Sequence, residues 1–123
     1  MIDAPTLEEV ADSLVSDARD DYLALCMISG AVREKLSLTA VEDYADEPAC
    51  GRVKSVTLQV VSLMLGKGAR AITLNSSRPG FVEWHNQRPD YVLARITREW
   101  DVERWARIGR DPDPGEVVWF FKP

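Results

Sequence analysis

The chain has 123 residues, 46% hydrophobic and 28% charged, with 20 acids against 15 bases for a net charge of −5. That is the balance of one ordinary soluble domain, long enough to bury roughly two thirds of its unfolded surface without staples. It excludes a membrane span, since no stretch approaches about 18 uncharged apolar residues. It also excludes a disulfide scaffold, since Cys26 and Cys50 are too few for one, and their spacing fits no zinc or redox motif.

Thr6-x-x-Glu9 reads as a capping box that opens a first helix behind Pro5. Leu7, Val10, Ala11, Leu14 and Val15 form its apolar stripe, and the other face is acidic. A second helix is predicted from Asp20 or Asp21 to about Leu36, with Tyr22, Leu25, Cys26, Ile28 and Val32 at helical spacing. Ser37 or Thr39 can cap a short third helix over 40–45, where Thr39-x-x-Glu42 is a second capping box. Asp46, Glu47, Pro48 and Gly51 mark a loop that holds Cys50.

A fourth helix is predicted over Arg52–Leu65. It is apolar on more than one stripe, so it should be central and covered on most sides. Its β-branched residues make strand the competing reading, and its length favours helix. Gly66 and Gly68 stop it. Ala69–Leu74 alternates as a strand, 75–80 is a loop by composition, and Phe81–His85 is ambiguous. Pro89 opens a long helix over 89–106 with Val92, Leu93, Ile96 and Trp100 on its core stripe. Gly109–Gly115 is a turn, and Glu116–Lys122 is the clearest strand.

The expected fold is therefore a single α+β domain over 1–123, mostly helical, with about five helices and a small two-stranded sheet. Three helices followed by two strands resembles a winged-helix arrangement, with a long helix in place of the usual short wing. That departure puts an inherited nucleic-acid role in doubt.

No catalytic, cofactor-binding or metal-binding constellation emerges. His85 is the one histidine, and Glu83, His85 and Arg88 could be written as a proton-transfer and phosphate-binding group. With no second base or nucleophile in a recognisable relation to it, His85 reads as a packing or surface residue. Ser76-Ser77 lacks a nucleophile-elbow context, and Gly66-Lys67-Gly68 lacks the phosphate-loop pattern. No histidine or cysteine pair has metal-ligand spacing, and no calcium loop is present.

Charge is the informative feature. Residues 1–50 hold twelve acids against three bases, net −9, and residues 51–123 hold eight acids against twelve bases, net +4. The carboxylates Glu8, Glu9, Asp12, Asp17, Asp20 and Asp21 admit two readings. One is a solvated helix face with acids placed favourably near helix N-termini. The other is an acidic surface for a basic partner.

The later arginines (Arg88, Arg95, Arg98, Arg104, Arg107 and Arg110) could contact phosphates, but acids are interleaved among them. In the fourth helix only Arg52, Lys54, Ser55, Thr57 and Gln59 could read bases. Of the four tryptophans, Trp100 and Trp119 sit within apolar stripes. Trp84 and Trp105 flank the stripes and read as partly exposed interface anchors.

Size, charge and the Gly80-Phe81…Trp84, Arg95-Ile96…Glu99-Trp100 and Gly115-Glu116…Trp119 run resemble small acidic bacterial proteins of the immunity or antitoxin kind. The resemblance covers about a third of the chain and names no functional residue. It implies a non-enzymatic cytoplasmic module that neutralises a basic protein partner. Residues 1–20 lack the basic and apolar segments of a secretory leader, which fits reduced cysteines. The alternative is a winged-helix-like DNA-binding regulator, and a third reading is a small enzyme using His85. Homodimerisation is compatible with all three.

Overall fold

The computed structural model describes residues 3–38, 47–74 and 81–123. Helices α1 (Ala4–Asp20), α2 (Leu25–Lys35), α3 (Glu47–Gly66), α4 (Pro89–Glu99) and α5 (Val102–Arg107) accompany strands β1 (Leu23–Ala24), β2 (Arg70–Leu74), β3 (Phe81–Glu83) and β4 (Trp119–Phe121). The fold is α+β, but the sheet has four antiparallel strands in the order β1-β4-β2-β3 rather than two. The expected strands are its central pair. The ambiguous segment at Phe81 is the third strand, and two residues between α1 and α2 are the fourth. The expected helix over 40–45 lies outside the described residues.

Helix ends account for most of the other corrections. The N-cap of α1 is Asp3, whose Oδ1 accepts the Thr6 N–H at 2.9 Å, so Thr6-x-x-Glu9 is not the box. The Thr6 side chain, and then its N–H, hold the Asp3 carboxyl below its usual range. Ser37 lies at the end of α2. It adopts φ 59° just past α2, and Leu38 N–H reaches Arg33 O at 2.8 Å in a Schellman turn. Gly68, at φ 95°, closes α3 in the same way, with Ala69 N–H on Met64 O.

Pro48 and Gly51 lie inside the first turns of α3, so Cys50 is helical and buried rather than in a loop. The long helix expected over 89–106 breaks at Trp100. Asp101 caps the next turn by accepting the Arg104 N–H, and Trp100 turns inward.

The helix α3 contacts α1, α2, α4 and α5. Val53, Val60, Val61 and Met64 from α3 meet Val10, Leu14, Ile28, Val92, Ile96 and Phe120 in one core on one side of the sheet. Lys54 is buried too, and its Nζ donates to Thr97 O at 2.9 Å in the last turn of α4, where a cation meets unpaired helix carbonyls. The Thr57 hydroxyl, also in the core, has no hydrogen-bond partner among the described residues. A buried unpaired hydroxyl costs about 1–3 kcal/mol, and valine has nearly the same shape. Thr57→Val is therefore expected to stabilise the fold by about 1 kcal/mol, read as a raised urea midpoint at unchanged slope.

Alternation divides the sheet into two faces. Leu23, Ala71 and Phe120 are register partners on the helix side. Ala24, Ile72 and Trp119 share the other face, and Tyr22, Phe81 and Phe121 form a ring cluster with centroids 4.8 to 6.4 Å apart.

Where β3 ends, Gln87 replaces a strand. Its Oε1 accepts the Ala71 N–H at 2.7 Å, and its Nε2 donates to Ala71 O and Trp84 O. Gln87→Ala leaves a buried backbone N–H unpaired and is expected to cost about 1–3 kcal/mol. Hydrogen exchange should show the loss first at the Ala71 amide.

Candidate interaction groove on the acidic helices

The acids named from the sequence fall into three settings. Glu8 and Asp12 lie one helical turn apart on α1, and both reach Lys67 just past the end of α3, at 2.7 and 2.9 Å. The two carboxylates hold the Lys67 ammonium above its usual pKa. Their contribution is present below that usual value and is lost as pH rises through the raised one. These two exposed acids are therefore engaged by a cation of the same chain, and Gly66-Lys67-Gly68 is a helix end, not a phosphate loop.

Glu9 and Asp17 line a groove of about 290 Å³ between α1 and α2, together with Val10, Leu14, Ala31 and Glu34. Val10 and Leu14 are buried and form its floor, while the three carboxylates stand exposed above them. Lys35 is the one cation on the lining among the described residues. Among the described residues, Glu9, Asp17 and Glu34 enter no ion pair. Glu34 was not singled out in the sequence, because its place in the groove depends on how α2 packs against α1.

Asp20 and Asp21 sit at the end of α1 beside a separate hollow of about 310 Å³ lined also by Tyr22, Phe121 and Lys122. Asp21 Oδ1 accepts the Tyr22 N–H at 2.8 Å. The favourable N-terminal placement fails for Asp17, Asp20 and Asp21. The helix α1 has no acid in its first turn, and these three cluster at its C-terminal end. There the helix dipole opposes them by about 0.3–1 kcal/mol each.

Trp84 and Trp105 are buried rather than partly exposed, at 4% and 8% relative accessibility. Trp84 Nε1 donates to Thr73 Oγ1 at 3.0 Å, and the Arg95 guanidinium covers the ring at 3.8 Å. Arg110 lies 4.1 Å over Trp105. Both rings are therefore packed beneath arginines. This occupies Arg95 and Arg110, while Arg95 also pairs with Glu99 and Arg88 with Asp90. His85 is exposed just after β3, and Ser76-Ser77 lies outside the described residues.

A larger cleft of about 440 Å³ between α1, α3 and α4 is lined by Leu7, Leu58, Leu63 and Leu93, with Gln59 and Ser62. Its one titratable group among the described residues, Glu8, is engaged by Lys67. Cys26 is a partly buried free thiol, held above its usual pKa by desolvation and then by Asp113. A thiol shifted in that direction carries less thiolate at neutral pH and is a poorer nucleophile. No group of three or more His, Cys, Asp or Glu suited to a metal occurs among the described residues, and no described helix is long and apolar enough to cross a membrane. Comparison with protein-family models, curated proteins and solved structures finds no match.

Proposed function

We propose that the protein is a non-enzymatic binding module of the immunity or inhibitor kind, which takes a lysine- or arginine-bearing segment of a protein partner into the groove between α1 and α2. The observation that carries this reading is the trio Glu9, Asp17 and Glu34, unpaired above an apolar floor, with Asp17 held at the unfavourable end of its helix. Carboxylates placed against the local dipole are stabilised by an external cation, and the floor accepts the aliphatic stem of a Lys or Arg side chain.

The nucleic-acid alternative loses support at α3. Of the residues able to read bases, Lys54 and Thr57 are buried, which leaves Arg52, Ser55 and Gln59 on a helix covered by four others.

The test is affinity capture from native cells at low salt, after nuclease treatment, with the wild-type chain and with Glu9→Lys/Asp17→Lys/Glu34→Lys side by side. A stoichiometric basic protein retained by the wild type and lost by the variant is the expected result. Equal retention by both overturns the groove.

A further inference from the structure

We infer that β3 is a self-association edge, on which a second copy of this chain adds its own β3 antiparallel through a two-fold axis at Val82. The strand order places β3 at one margin of the sheet. Which backbone groups face outward follows from the ladder. Trp84 N–H donates to Ala71 O while Gln87 takes the reciprocal Ala71 N–H, so Ala71 and Trp84 stand at a hydrogen-bonded position of the ladder, and by alternation Thr73 and Val82 stand at the next. The N–H and C=O of Phe81 and Glu83 therefore point away from β2, toward the margin of the sheet, where no described strand pairs with them.

The side chains of this strand are also unusually exposed. Val82 is 59% exposed and Phe81 38% exposed, two of the five large exposed hydrophobics among the described residues. Natural edges are blunted by lysine, proline or a bulge. Phe81-Val82-Glu83 carries none of these, and its one charge is neutralised by Arg70 at 3.1 Å within the same chain. A second edge can approach without an unpaired like charge.

The register is also determined. An axis at Phe81 or at Glu83 uses one outward residue per chain and stacks identical side chains, carboxylate on carboxylate in the second case. An axis at Val82 sets Phe81 opposite the partner's Glu83 and Glu83 opposite the partner's Phe81. Both outward pairs are then hydrogen-bonded. Val82 meets the partner's Val82 as a non-hydrogen-bonded pair, the closest approach in an antiparallel ladder at about 4.5 Å between Cα atoms. The product is one continuous eight-stranded sheet. With three residues per edge, the association is weak and concentration-dependent.

Sedimentation velocity from about 10 μM to about 1 mM should show a monomer giving way to a dimer, and Val82→Lys should weaken the association at least about tenfold with unchanged circular dichroism and melting temperature. In a Cys26→Ser background, Val82→Cys should cross-link to a disulfide dimer under mild oxidation. Glu83→Cys should not, because its dyad mate lies beyond the roughly 7 Å that a disulfide tolerates. A chain that stays monomeric at the highest concentration overturns the inference. So does a dimer that Val82→Lys leaves intact, or cross-linking as fast at Glu83 as at Val82. These outcomes are independent of the acidic groove.

Discussion

Trp100→Ala is expected to cost about 3–5 kcal/mol of folding stability, the range for truncating a fully buried large ring. Trp100 is 1% exposed and stands at the joint where α4 stops and α5 begins. Its Nε1 donates to Pro112 O at 2.7 Å, so the ring anchors the segment that carries the chain back toward β4. Pro112 and Pro114 are themselves buried. Alanine removes the ring volume and leaves the Pro112 carbonyl without its donor in the same step. A domain of this size has about 5–15 kcal/mol in total, so the variant should unfold at much lower urea, with the denaturant slope unchanged. Trp100→Phe separates the two contributions. It keeps most of the packing and gives up the hydrogen bond, for about 1–3 kcal/mol. A loss below about 1 kcal/mol for Trp100→Ala would show that the joint does not depend on the ring.

The joint also shows what one sequence can reveal. Asp101 is a good N-cap residue, and Trp100 and Trp105 stand at the spacing of a hydrophobic staple around it. The break of the long helix was therefore readable, but the continuous apolar stripe through Ile96 and Trp100 outweighed it. The central helix was legible because its apolar content runs around several faces, and α3 is indeed covered by four other helices. The strand β2 was legible from alternation, and β4 from its run of β-branched and aromatic residues, of which only Trp119–Phe121 pair as strand.

The sheet they belong to was not. The strand β1 is two residues long and β3 three, too short for any period to register. The insertion of β4 between β1 and β2 joins residues about a hundred positions apart, which no local pattern encodes. The site divides along the same line. The acidic character of α1 is evident in the composition. That Glu8 and Asp12 are engaged by Lys67, and that Glu34 completes the groove, follows only from packing. Trp84 and Trp105 look accessible in sequence because the arginines that cover them are 11 and 5 positions away.

Reversing Glu9, Asp17 and Glu34 to lysine together is expected to weaken binding of the captured basic partner by about 10²–10³-fold, since like charges brought into one interface cost several kcal/mol. Wild-type affinity should itself fall between about 50 mM and 500 mM salt, as the screening length contracts to a few ångströms, while the reversed variant should lose that dependence. Stability supplies the control. Asp17 and Glu34 occupy the last turns of α1 and α2, where the helix dipole disfavours acids and favours bases. Lysine at those positions should leave the melting temperature unchanged or raise it. Loss of binding alongside a fold at least as stable cannot be attributed to unfolding, and it would mean that these carboxylates are kept at a cost to the helices for the sake of a partner. The opposite pair of results, intact binding with a higher melting temperature, would make the acids a solvated surface and send the search for the partner site to another face of the domain.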